Sequence, residues 1–250
     1  MTDTPSGRRL AVTGTLTASL SALAAFGVFF VAPEDADQGI IQKIFYFHVA
    51  IAVVGLLAFA LGTIAAIRYL RSRDERQDEI SSISIGIGLA FSVLVVITGS
   101  IWAKASWGTW WVWTDPRLVT FVIVLLLYSA YFVLRSSVEG ERQARYAAIF
   151  AIAAFASVPL SFYSVRVARS FVHPVVFTTG GAQMSQGMLL WFLVSLAATI
   201  GVFLTILQLE LIQRRADRSL RRIKLRLEAG DESPSRPRPL SAAAGPRRAT

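Results

Sequence analysis

Residues 44–67 read IFYFHVAIAVVGLLAFALGTIAAI, an apolar run with no charged side chain and only His48 to interrupt it. A hydrocarbon core about 30 Å thick is crossed by roughly 20 residues of helix, each rising about 1.5 Å. The run is therefore long enough to span a bilayer. Working outward, five more runs meet the same criterion. Leu10–Ala32 lies between Arg8-Arg9 and Pro33, and Ile80–Ala103 starts among Ser81, Ser82, Ser84, Gly86 and Gly88, small residues suited to close helix packing. Leu118–Leu134 is the shortest, Tyr146–Val165 carries Pro159 near its end as an expected kink, and the last covers about Met188–Leu209. The fold class predicted is all-α, a polytopic membrane protein of six transmembrane helices. The first run has 23 residues, whereas the apolar region of a secretory signal has about 7–15. A retained helix is expected there.

The composition agrees. Of 250 residues, 54% are of apolar types and 16% are charged, with a mean hydropathy of +0.54; a soluble domain carries about 25% charge. A disordered chain, a collagen or coiled-coil repeat and a compact soluble enzyme are excluded. The chain has no cysteine. That removes a disulfide framework, a thiol nucleophile, an iron–sulfur cluster and a zinc knuckle. A membrane thiol–disulfide carrier falls on the same ground, because thiolate exchange needs thiols.

Six spans put both termini on one side, and lysine and arginine decide which. With the N-terminus inside, cytoplasmic segments carry twenty of these residues and the outer loops five: Lys43, Lys104, Arg117, Arg166 and Arg169. The expected topology is N-in, C-in. Eleven of the twenty follow residue 213. The formal charge of +9 is thus largely a basic cytoplasmic tail over residues 213–250, suited to anionic headgroups. It lacks the interleaved aromatics of a nucleic-acid surface, so no nucleic-acid role is expected. Glu210–Glu228 is predicted to extend the last span as a charged helix. The remainder, rich in Pro, Ser, Ala and Arg, is predicted to be disordered after about residue 229. Residues 1–212 then form the membrane domain.

This topology collects the unusual residues on the outer face. The only two histidines are His48, near the outer end of the second span, and His173, in the last outer loop. A single interfacial histidine is most simply a hydrogen-bonded side chain. Two, being the only two and at one depth on one side, suit metal ligation, since neutral imidazole is the usual axial donor to haem iron. Five of the six tryptophans fall within twelve residues: Trp102, Trp107, Trp110, Trp111 and Trp113. An aromatic belt spreads its rings over many helix ends, whereas this cluster concentrates them in one loop, as a platform for a large planar ligand. If the segment is helical, Trp107, Trp110 and Trp111 share a face. Asp115, Arg117 and Lys104 stand at its edge, and arginine can hold a carboxylate bidentately. Platform, imidazoles and cations together describe a haem site. Its iron would lie between His48 and His173, and its propionates would face Arg117, Lys104, Arg166 or Arg169.

The string from Trp107 to Leu118, WGTWWVWTDPRL, resembles the tryptophan-rich WWD signature of haem-handling proteins in cytochrome c maturation. Size, six spans and one such loop look more narrowly like the CcmC family, the haem exporter protein C family. Asp37-Gln38-Gly39 and the segment Lys43–Val49 are similar to that family's region around its first histidine ligand. The resemblance covers about residues 10–212. It implies haem b, held transiently and without a covalent bond, with His48 and His173 as axial ligands. Trp107, Trp110, Trp111 and Trp113 would form the platform, with Asp115 and Arg117 beside them. It implies delivery of haem to the chaperone CcmE, alongside the ABC transporter subunits CcmA and CcmB and the small protein CcmD. The place implied is the bacterial inner membrane, with haem on the periplasmic face. Departures from the family pattern are Thr114 between Trp113 and Asp115, Val119 between Leu118 and Thr120, and the lack of tryptophan in the segment 167–172.

Other readings fit less of the chain. A bis-histidine electron-transfer subunit usually places its ligands within the bundle, often in pairs. A permease or channel is marked by ionisable residues at mid-membrane, and the six runs hold none beyond tyrosines and His48. A CcsA-type cytochrome c synthetase component needs further histidines and more spans. The outer loops offer no Ser/His/Asp arrangement, and Glu34, Asp35 and Asp37 are expected to solvate the first loop. The expectation is a haem-delivery protein, not a hydrolase or redox enzyme.

Overall fold

A computed structural model describes residues 5–167, 177–178, 180–182 and 184–231. Seven helices are described: α1 (Pro5–Phe30), α2 (Ile44–Ser72), α3 (Glu75–Trp107), α4 (Pro116–Ser137), α5 (Glu141–Phe155), α6 (Ser157–Val167) and α7 (Gln186–Asp231). A 3-10 turn, Ile40–Lys43, leads into α2. A two-residue hairpin pairs β1 (Phe177–Thr178) with β2 (Gly181–Ala182). Six helical segments are long and apolar enough to cross a membrane, with α5 and α6 together supplying the fifth. The chain is an all-α, multi-pass membrane protein.

Helices α2, α3, α4 and α7 outrun the apolar stretches that announced them, because helix continues into the headgroup region until a local signal stops it, whereas α1 starts earlier than its run and ends at Phe30, two residues short of it. Asp74 and Asp115 cap α3 and α4 by accepting from the backbone N–H groups that follow them. Pro116 occupies the first turn of α4, where its missing N–H costs nothing. The fifth span departs from a single kinked helix. It breaks at Ala156 into α5 and α6, one turn before Pro159. Proline lacks the N–H that would bond to the Phe155 carbonyl, and its ring crowds that carbonyl. The last span is one continuous helix of 46 residues that includes the predicted charged extension.

The chain divides into two compact units, Met1–Ile212 and Gln213–Thr250. In the first, α2 and α3 share the largest helix interface. Lipid tails are as apolar as the side chains, so close packing rather than water expulsion holds such helices together. Small residues permit it: a Cβ on Gly88 would come within 2.8 Å of the Phe59 ring, and one on Gly62 within 2.7 Å of Ile85. Phe59 in turn stacks on Tyr128 of α4, ring centres 3.6 Å apart and nearly parallel. Ser81, Ser82 and Ser84 are buried in this interface near the N-terminal end of α3, as the composition of the third run predicts. At the same end, Arg135 of α4 grips Asp78 of α3 with two hydrogen bonds of 2.8 and 2.6 Å. Gln143 of α5 donates to the Arg135 carbonyl at 2.9 Å. α1 packs on α7 through the Trp191 ring, which covers the bare face of Gly27 so closely that a Cβ there would overlap it. Thr17 and Thr205 share a hydrogen bond across the same interface.

In the second unit, Lys224 lies 3.8 Å from Glu228 one turn on, and Leu220, Ile223 and Leu227 are exposed. The segment predicted to be disordered lies mainly outside the described residues. Helix α7 continues to Asp231. Truncation after Glu228 is expected to leave the thermal unfolding of the purified chain in detergent unchanged.

Candidate functional site

His48 is the fifth residue of α2 and is half-buried against the C-terminal part of α3. Three neighbours on that helix fix the ring. Its Nδ1 lies 2.8 Å from the Thr98 hydroxyl. Trp102, one turn further on, meets the imidazole edge to face with centroids 5.7 Å apart. Between them is Gly99, where a Cβ would lie 2.9 Å from His48 Cε1. The ring therefore rests on bare helix backbone, and any side chain at position 99 would push it away.

Trp102 ties this corner to the loop between α1 and α2 by donating its indole N–H to Gln38 Oε1 at 2.9 Å. Gln38 is itself held by Asp35, whose carboxylate accepts from the backbone N–H groups of Asp37 and Gln38. Asp35 is thus a loop-builder. Lys43, buried just before α2, donates to the Phe29 carbonyl at 2.8 Å near the end of α1 and sits 3.9 Å from Glu34. A long cationic side chain here ties two helix ends together at the membrane boundary.

The tryptophan-rich loop is not helical after Trp107, so the condition under which Trp107, Trp110 and Trp111 would share a helix face is not met. Helix α3 stops at Trp107, because Gly108 turns into the left-handed region at φ 75°. That conformation is open to glycine at no steric cost. Trp107 ends α3, while Trp110, Trp111 and Trp113 follow in irregular chain. Two polar anchors hold the loop. Lys104 donates to the Gly108 carbonyl at 2.9 Å, so this cation serves the helix end. At the other end the buried Asp115 carboxylate accepts from Arg117 and Leu118 N–H as the α4 cap.

Within the loop Trp111 and Trp113 pair at 5.9 Å with tilted rings. Trp110 and Trp113 are 58% and 71% exposed, while the Trp111 indole N–H is buried with no hydrogen-bond acceptor among the described residues. An unpaired buried donor costs about 1–3 kcal/mol. A ligand with a flat apolar face and an acceptor group would relieve both the exposure and the orphaned donor. Those features fit haem.

Arg117 and Arg166 converge from α4 and α6 on one ring, with guanidinium carbons 6.0 and 5.0 Å from the centre of Phe162. Arg117 also donates to the Phe162 carbonyl at 3.3 Å. Of the four cations available for propionates, these two are brought together. Arg169 and His173 lie outside the described residues.

Sequence reasoning missed Thr98, Gly99 and Phe162. A hydroxyl–glycine pair, Thr98-Gly99, directly after the aliphatic run 93–97 was the available signal for the first two.

The heme exporter protein C family, CcmC, matches residues 3–226. The chain belongs to that family. CcmC relatives named heme exporter protein C include one from Bradyrhizobium diazoefficiens, 31% identical over 208 residues, covering 80% of this chain and 79% of that protein. Another, from Paracoccus denitrificans, is 30% identical over 200 residues, 78% of this chain and 80% of the relative. A ccmC-like mitochondrial protein of Marchantia polymorpha, named for cytochrome c biosynthesis, is 30% identical over 171 residues, 68% and 72% of the two chains. The CcmC match reaches beyond the six spans into the charged part of α7.

Proposed function

We propose that this chain holds haem b, transiently and without a covalent bond, on the periplasmic face of a bacterial inner membrane and passes it to the chaperone CcmE. Family membership gives it a role in haem handling for cytochrome c maturation. The observation that carries the finer reading is the seating of His48: an imidazole fixed by Thr98, Gly99 and Trp102 at one end of the α2–α3 interface. A ligand ring held in place gives up little freedom on binding iron. His173 is its proposed partner across the iron. Trp107, Trp110, Trp111 and Trp113 supply apolar faces, the Trp111 N–H supplies a donor, and Arg117 with Arg166 neutralises the propionates. Asp115 supports the platform through the α4 cap.

The lysine and arginine excess on the inner segments supports the N-in, C-in orientation that puts these residues outside. CcmA, CcmB and CcmD are the proposed assembly partners. The chain acts by binding and delivery: the two imidazoles would coordinate and release the iron, and no covalent bond of the porphyrin is made or broken by its side chains.

The test supplies hemin to the detergent-purified chain and records oxidised and reduced spectra, then adds CcmE. A low-spin spectrum that fades from this chain as CcmE takes up haem is the expected result. A chain that takes up no hemin overturns the proposal. Replacing Trp110 and Trp111 by Ala is expected to cut haem retention and CcmE loading by about tenfold or more, since stacking on one aromatic contributes about 1–3 kcal/mol. Membrane insertion should be intact by fractionation, and unchanged loading would remove the platform from the mechanism.

A further inference from the structure

We infer that Thr98 is a positioning residue that holds His48 in the Nδ1-protonated tautomer, so that Nε2 carries the lone pair offered to iron. The argument starts from a count of protons. Thr98 Oγ1 lies 2.7 Å from the Leu94 carbonyl oxygen, one turn back on α3, and 2.8 Å from His48 Nδ1. A carbonyl only accepts, and a threonine hydroxyl has one proton. The short approach to Leu94 is the bond that helical threonines make to the carbonyl four residues earlier, and it consumes that proton. Were the proton turned toward His48 instead, the two oxygens would face each other at 2.7 Å with no hydrogen between them. The remaining contact is therefore His48 Nδ1–H donating to the Thr98 oxygen.

The ring cannot easily turn over to exchange its nitrogens. Its Cε1 edge rests on the Gly99 backbone and its flank on the Trp102 indole. A histidine that binds metal through one nitrogen commonly donates from the other to a hydrogen-bond acceptor, which sets tautomer and orientation and raises basicity. Here the acceptor is a hydroxyl whose own proton is tied down by the helix. The inference rests on the reading of His48 as an iron ligand, but the tautomer is a property of the protein before haem arrives.

That separation sets the experiment. The chain has only two histidines, so a His173→Gln background leaves one imidazole to observe. Nitrogen NMR of the haem-free, 15N-histidine-labelled protein at a pH where the ring is neutral should show His48 protonated at Nδ1. Thr98→Val keeps the shape and removes the acceptor, and the signal should shift toward Nε2 protonation. Thr98→Ser should restore the wild-type pattern. In the two-histidine protein, hemin titration should show Thr98→Val weakened by about 10–100-fold, with a shifted reduction potential, and Thr98→Ser close to wild type.

Nε2 protonation in the wild type, or a Thr98→Val protein with unchanged tautomer, overturns the inference. If the tautomer responds as expected while His48→Ala keeps the wild-type haem spectrum, it is the ligand assignment that fails, and the proposed role toward iron fails with it.

Discussion

Substituting His48 by Ala should abolish the low-spin haem spectrum of the purified chain and lower hemin affinity by more than about 100-fold. Loss of a supporting partner of a metal ligand already costs 10–100-fold as a rough range, and the ligand itself contributes more. Added imidazole should enter the space vacated beside Gly99 and Trp102 and restore a low-spin spectrum, because the floor and wall of that space belong to α3 rather than to the missing side chain. His173→Ala should give the same loss and the same rescue. Membrane insertion and thermal stability should change little in either variant, which separates ligation from folding. A His48→Ala protein that keeps its spectrum and affinity would exclude this residue as an iron ligand.

The second large effect is on stability and lies at the other end of α3. Asp78 and Arg135 are paired by two short bonds, with side chains only 14% and 17% exposed. Asp78→Ala leaves the guanidinium where neither lipid nor water can compensate it fully. The expected cost is about 3 kcal/mol, in the range for breaking a buried pair from one side. It would appear as an earlier unfolding transition in detergent. Asp78→Leu combined with Arg135→Met should recover most of the loss, since the pair's attraction is largely offset by its desolvation. Haem affinity should be nearly unaffected, because twenty residues of helix, about 30 Å, separate Asp78 from Thr98. A single-variant change below about 0.5 kcal/mol would show that the pair is solvated like a surface bridge.

The spans were legible because run length and charge alone decide whether a segment can cross a bilayer. Pro159 made the break in the fifth span legible too, since its missing N–H acts wherever the chain goes. The path of the tryptophan loop was not. Trp107, Trp110 and Trp111 have helical spacing, and what overrides it is the turn at Gly108, a residue that permits both continuation and reversal. Asp115-Pro116 carried a clear cap-and-first-turn signature, yet its position beside four tryptophans drew the reading toward ligand contact. Thr98 and Gly99 became visible only once α2 and α3 were side by side, because no periodicity in one helix reports which residue of another lies against it. His48 was found from its rarity, while the residues that give it direction are common ones.

The anchoring of the tryptophan loop at both ends has a thermodynamic consequence. Seven residues, 108–114, run between the last residue of α3 and the cap of α4, with Lys104 and Asp115 bonded to the two ends. Ordering a free segment costs about 1–2 kcal/mol of backbone entropy per residue. Much of that loss has already occurred when the helices pack, so a cargo arriving at the loop does not have to impose it again. Capture and release then need no folding and unfolding of the surface that does the holding. For the carrier role proposed above, in which cargo must leave as readily as it comes, a prearranged surface would keep both steps fast and leave affinity to be set by the few atoms that touch the cargo.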